Sequence, residues 1–376
     1  MHLPSIIIMR TDKLSAEVFF LIILRFFESH LRKKPRNYIL YQVRRSECAQ
    51  KRRLNKLADP GRKKTVVTIL LIAMVSFGWG VSFLSLAVLL RKMAPMQMLA
   101  TRWGLTALVF LGLIAAGKIR LRLRGKSVFF LFLAGLAEPC AYSVLEAYGI
   151  KLTSASTSAI FVATIPTVTL MFGLVFFRQR ATMKLAVSIA VTFLGVAIAT
   201  FFSPAFSVGG TRVGMLCMIL AIVSAAVYSH ASRIASADFD AMAVTCVMAI
   251  EGAVLFNILS FAQGYGFETY LLPFSDPVTL THFLFLALFC AFASYTAYNR
   301  LLSYIDPAIA SNITGSLTTV VGVAAGILFS GDIWGWYTVC GMSVTLIGVW
   351  LSSRCMTVSA STPEDRSSSR PSHTGS

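Results

Sequence analysis

The sequence predicts an all-α integral membrane protein, with ten transmembrane helices arranged as two inverted five-helix repeats. Three observations predict this. Of 376 residues, 56% are hydrophobic and 13% charged, against about 45–50% and about 25% in an average soluble domain. Ten long apolar segments run from Val66 to Leu351, each near the ~20 residues an α-helix needs to cross a bilayer. The string VTFLGV at 191–196 returns as VTLIGV at 344–349, 153 positions later, and Tyr148 and Tyr298 open the approaches to spans 4 and 9, 150 positions apart. Five is odd, so a second copy of five starts on the opposite side of the membrane. Similar halves of opposite orientation are the mark of a secondary transporter.

The chain opens with a tail, residues 1–64, that holds 16 Lys/Arg and 5 Asp/Glu and so carries +11 of the net +18. Ala16–Phe27 is apolar but broken by Glu17 and Arg25. It is too short to span, lacks a small-residue cleavage site, and reads as a helix lying in the interface rather than a signal peptide. The basic stretch after it reads as a solvated cytoplasmic tail or as the product of a start codon placed too early; binding of anionic lipid or RNA is the rival reading. No nucleic-acid partner is expected.

The spans follow at 65–90, 94–117, 127–149, 154–177 and 183–202, then 213–234, 241–264, 279–302, 307–330 and 333–353. The domains are therefore a first repeat over 65–202 and a second over 213–353. The longest loop, near 264–278, carries Pro273 and Pro277 and reads as irregular. Residues 355–376, rich in Ser, Thr and Pro, read as a disordered tail. With the basic tail inside, the inner loops and helix ends hold 11 Lys/Arg and the outer ones 4. The positive-inside rule then puts both termini in the cytoplasm.

The seven cysteines form no CxxC pair and five lie in apolar segments, so they read as small core residues. Neither a disulfide framework nor a zinc site is indicated.

Charges in hydrocarbon are costly, which makes each a candidate for function. Glu138 and Glu251 stand near the middle of spans 3 and 7, and Arg102 a third of the way along span 2. They would form a buried pair or bind a charged solute, and a carboxylate in such a place could carry a proton. Pro139 directly follows Glu138 and is expected to kink the helix. Tyr142 and Glu146 share a broad face with Glu138, with Glu146 near the outer end and hydrated. Tyr228 and His230 are the main polar groups of span 6. His230 reads first as a helix–helix hydrogen-bond partner and second as a proton relay. Tyr295, Tyr298 and Asn299 suit a cavity lining in span 8, although an aromatic belt at the inner interface explains the last Tyr equally well. Trp79, at mid-depth in span 1, is a packing residue or a stacking surface.

Further pieces carry a family resemblance. Gly78-Trp79-Gly80 lies in span 1, and Ala100-Thr101-Arg102-Trp103 follows Pro95 in span 2. An Ala/Ser-rich turn leads into span 4 with Pro166, and Gly331-Asp332 precedes Gly341 by about ten residues. In this order the chain resembles the EamA-type, ten-span members of the drug/metabolite transporter superfamily. Three features depart from that pattern, the first being Glu138 and Glu146 in span 3, which the family pattern does not ask for. Arg178-Gln179 stands where the first half should have Gly-Glu, and the second half has no equivalent of Pro166. The resemblance implies a central solute path between the halves, transport of a metabolite, amino acid or drug across the plasma membrane, no cofactor, no metal and no covalent chemistry. Small residues in spans 4 and 9 serve close packing and are compatible with a homodimer. An integral-membrane transferase or a lipid flippase is the alternative. The transferase would need a His–acid or metal centre, and no tight motif of that kind is present.

Overall fold

The computed structural model describes residues 41, 45, 62–119, 121, 128–177, 183–202, 209–303, 305–330 and 335–360. The interfacial helix expected over Ala16–Phe27, the Gly331-Asp332 pair, Arg178-Gln179 and the tail beyond Ala360 lie outside these residues. Among those described the fold is all helix: α1 (Arg62–Leu90), α2 (Pro95–Ala115), α3 (Phe129–Leu152), α4 (Ala155–Val162 and Ile165–Phe177) and α5 (Met183–Phe201) form the first half. The second half is α6 (Gly209–Ala235), α7 (Ala241–Ala262), α8 (Pro277–Leu302), α9 (Pro307–Phe329) and α10 (Trp336–Ala360). Eight of these are long and apolar enough to cross a bilayer, while α5 and α10 carry shorter apolar stretches, Ala186–Ala199 and Trp336–Leu351.

Local chemistry sets the helix starts. Pro95, Pro277 and Pro307 each occupy a first helical position, where the missing N–H is not needed. The Asp276 carboxylate accepts the Thr279 N–H at 3.1 Å and the Asp306 carboxylate accepts the Ala308 N–H at 3.0 Å, the ordinary work of N-caps. The long outer loop is less irregular than expected. It holds two short 3₁₀ turns, Phe267–Tyr270 and Leu272–Phe274, and Pro277 opens α8 two residues ahead of the expected start. At the far end α10 runs to Ala360, beyond the expected 353.

Helix packing largely follows the two-fold relation that inverted repeats require. Pairing α1 with α6, α2 with α7 and so on, the main cross-half contacts have counterparts: α1–α8 with α6–α3, α1–α9 with α6–α4, α2–α8 with α7–α3. The pairs α2–α7 and α5–α10 map onto themselves, as contacts on a two-fold axis do. The α5–α10 crossing shows why VTFLGV and VTLIGV match. A Cβ on Gly195 would collide with the backbone N of Thr345, and one on Gly348 with the backbone N of Thr192. Thr192 donates its hydroxyl to the Ser188 carbonyl at 3.0 Å, and Thr345 to the Gly341 carbonyl at 2.8 Å. The repeated Gly lets two backbones touch, and the repeated Thr is satisfied within its own helix.

Large apolar side chains such as Leu108, Val187, Ile258 and Trp350 point outward and are exposed. In water that surface would be a liability; in lipid it is the solvent-facing side.

Candidate functional site

Helix α3 is interrupted in its middle. Phe129–Gly135 is helical, Leu136–Ala141 is a wide π-type turn, and the helix resumes at Tyr142. Within the break Glu138 has φ −140° and ψ 116°, an extended conformation, and the Glu138–Pro139 peptide is cis. Pro139 cannot donate to the helix ladder, so interruption here is the local consequence of the sequence. Ser224 of α6 stitches the break by donating to the Ala137 carbonyl at 2.9 Å.

The break turns Glu138 into a cavity lined by both halves of the chain. About 60 Å³ is open to the centres of water-sized molecules, room for a few waters. Trp79 of α1, Arg102 of α2, and Glu138, Tyr142 and Glu146 of α3 line it from the first half. Tyr228 of α6, Cys290, Tyr295 and Tyr298 of α8, and Thr318 of α9 line it from the second.

Both glutamates of the cavity are engaged. Tyr295 donates its hydroxyl to Glu138 Oε1 at 2.6 Å and Ser143 donates at 3.3 Å. The first of these bonds joins the two halves. Tyr142 donates to Glu146 Oε1 at 3.0 Å. Glu146 is 6% exposed, so the hydration expected for it is corrected: it is buried and bonded to Tyr142. Arg102 is 2% exposed. It makes no ion pair among the described residues. Its guanidinium lies 5.3 Å from the Trp103 ring centroid and its Nη2 3.9 Å from Cys290 Sγ.

Aromatic rings form one wall. Trp79 sits 5.2 Å from Tyr295 and 4.8 Å from Tyr298, centroid to centroid, and Tyr228 6.3 Å from Tyr295. Trp79 is therefore both packed and at the cavity surface. Behind this wall Asn299 is fully buried. Its Oδ1 accepts from Tyr228 at 2.8 Å and from Ser232 at 2.5 Å, and its Nδ2 donates to Thr245 at 2.9 Å. This junction ties α6, α7 and α8 together. Tyr298 and Asn299 thus belong to the interior and not to an interfacial belt.

Two candidates fall elsewhere. Glu251 of α7 does not line the cavity; its carboxylate lies where a Cβ on Gly135 would be, against the first part of α3. His230 meets the Thr169 carbonyl through Nε2 at 3.0 Å, joining α6 to α4. That is the helix–helix role read first from the sequence. Cys290 and Thr318 line the cavity but carried no signal in the sequence beyond being small residues in apolar segments. Among the described residues no group of three or more His, Cys, Asp or Glu side chains is placed to hold a metal.

Comparison with known proteins agrees with this architecture. The EamA-like transporter family matches residues 66–201 and again 212–354, one match for each half. An uncharacterized transporter of Bacillus subtilis, YcxC, is 26% identical over 278 residues, covering 73% of this chain and 88% of its own. An uncharacterized transporter of Archaeoglobus fulgidus is 22% identical over 288 residues, covering 76% and 98%. A solved crystal structure of 13% identity covers 78% of this chain and 99% of its own with a TM-score of 0.53, a likeness of fold. With a family match in each half, the chain belongs to the EamA-like transporters of the drug/metabolite transporter superfamily.

Proposed function

We propose that this protein is a secondary transporter that moves a small organic solute, a metabolite, amino acid or drug, across the plasma membrane by alternating access. The observation that carries the reading is the cavity lined by both halves where they meet, with Glu138 turned into it by a broken helix. Transporters built from inverted repeats bind their solutes at such interfaces, on discontinuous helices. The Tyr295–Glu138 hydrogen bond spans the halves, so a proton or solute arriving at Glu138 would alter a contact between the parts that must rock. Both termini lie in the cytoplasm on this reading, the division falls between 65–202 and 213–353, and two copies pair if the small-residue faces meet. Glu251 serves α7–α3 packing or a second proton site.

The test is solute flux into vesicles by the Glu138→Gln protein. The amide keeps the shape and hydrogen-bonding capacity of the acid but neither carries a proton nor balances a cation. Flux should fall at least about tenfold, equivalent to ~1.4 kcal/mol, with the melting temperature little changed. Normal flux in a stable Glu138→Gln protein would remove Glu138 from the mechanism.

A further inference from the structure

We infer that the central cavity takes a solute bearing a carboxylate, and that Arg102 is the group that holds it. This rests on reading the cavity as the transport site and adds the chemical class of what enters.

The inference comes from which polar groups are already engaged. Each glutamate already takes donors on its Oε1: Glu138 from the Tyr295 and Ser143 hydroxyls, and Glu146 from that of Tyr142. Several donors have no such partner. Arg102 Nε and Nη1 and Trp79 Nε1 are buried without a hydrogen-bond partner among the described residues, and so is the Thr318 hydroxyl. All three residues line this cavity. Buried polar groups are normally paired, so a cluster of unpaired ones calls for a missing partner. What is missing here is an acceptor.

Arg102 sharpens this to an anion. A guanidinium stays protonated under any condition the protein meets; Glu138 and Glu146 line the same cavity, but no carboxylate of the described residues comes within ion-pair distance of Arg102, and a buried charge without a directly bonded partner is costly. The thiol of Cys290 at 3.9 Å and the ring face of Trp103 are weak substitutes for a carboxylate. Two glutamates nearby argue against a dianion such as phosphate, which a single cation would not balance. A carboxylate supplies two acceptor oxygens and one negative charge. The rings of Trp79, Tyr295 and Tyr298 then face an apolar or planar body.

The experiment uses the purified full-length protein and thermal melting. The probes are two matched sets: phenylacetate, phenylacetamide and phenethylamine; hexanoate, hexanamide and hexylamine. Each is added to wild type, Arg102→Gln, Arg102→Lys and Ala225→Leu, the last filling the cavity wall. A ligand bound only by the folded state raises its melting temperature. At least one acid should give a shift that its amide and amine do not. That shift should vanish in Arg102→Gln and Ala225→Leu and shrink in Arg102→Lys. Without ligand, Arg102→Gln should melt no lower than wild type, because no protein ion pair is broken. A lower baseline for Arg102→Gln would assign Arg102 to a structural pair and overturn the inference. So would the absence of any acid-specific shift. An amide or amine shift abolished by Ala225→Leu would overturn the carboxylate and leave the cavity as the solute site. An acid shift that survives both Arg102→Gln and Ala225→Leu would overturn the inference and count against the cavity as well.

Discussion

Changing Tyr295 to Phe removes one oxygen and keeps the ring that packs 5.2 Å from Trp79 and 5.7 Å from Trp103. The oxygen is the donor to Glu138 Oε1 at 2.6 Å, and both residues are buried. Interhelical hydrogen bonds in membranes average about 0.6 kcal/mol and reach about 1.7. With only Ser143 at 3.3 Å left to serve the same oxygen, Tyr295→Phe should cost about 0.6–1.7 kcal/mol. The assay is reversible unfolding in mixed micelles of wild type, Tyr295→Phe, Glu138→Ala and the double variant, because alanine removes the acceptor that glutamine would keep. The coupling energy should reach about 0.6–1.7 kcal/mol, beyond the ~0.5 kcal/mol within which independent sites add. Additive losses would refute the argument that this bond ties the two halves together.

Other outcomes follow from single contacts. Gly195→Val and Gly348→Val should each destabilise by about 1–3 kcal/mol or more through overpacking, and by similar amounts because the two sites are related by the repeat; melting temperatures check both. Asp276 is held well below the ordinary carboxylate range, first by the Lys92 ammonium at 2.5 Å and then by the Thr279 hydroxyl and N–H. Its contribution is therefore present above the ordinary carboxylate pKa and lost as pH falls toward the depressed one. Asp276→Asn should melt below wild type at pH 7, with the gap closing under strong acid. Reporter fusions at Gly125 and Pro273 should read inside and outside respectively. Deleting residues 1–60 should leave folding and flux largely intact, because the contact it removes between Arg45 and Asp238, 2.9 Å, is half exposed at Arg45 and worth under about 1 kcal/mol.

The spans were legible because hydropathy reports them directly; α2, for example, was expected over 94–117 and occupies Pro95–Ala115. The break beside Glu138 was legible because Pro139 removes a donor. What was not legible is azimuth. Position along a helix gives depth in the membrane but not which neighbour a side chain faces. Glu138 and Glu251 share mid-depth, yet one enters the cavity and the other lies against Gly135. The neighbours of Glu146 and Asn299 are likewise not given by their positions along the helices. In the fold Tyr142 covers the first, and α6 and α7 enclose the second. The Arg102 site was visible only as a charge; that its donors are unmet is a property of packing.

Alternating access is tested most directly by the thiol of Cys290, a cavity residue 1% exposed. In a protein keeping Cys290 as its sole cysteine, reconstituted in vesicles, membrane-impermeant thiol reagents are applied from one side and then the other. The cavity should open in turn to each face, so Cys290 should be modified from both sides, at rates that a transported solute changes in opposite directions. Modification from one side alone, or from neither while flux continues, would contradict a path through this cavity.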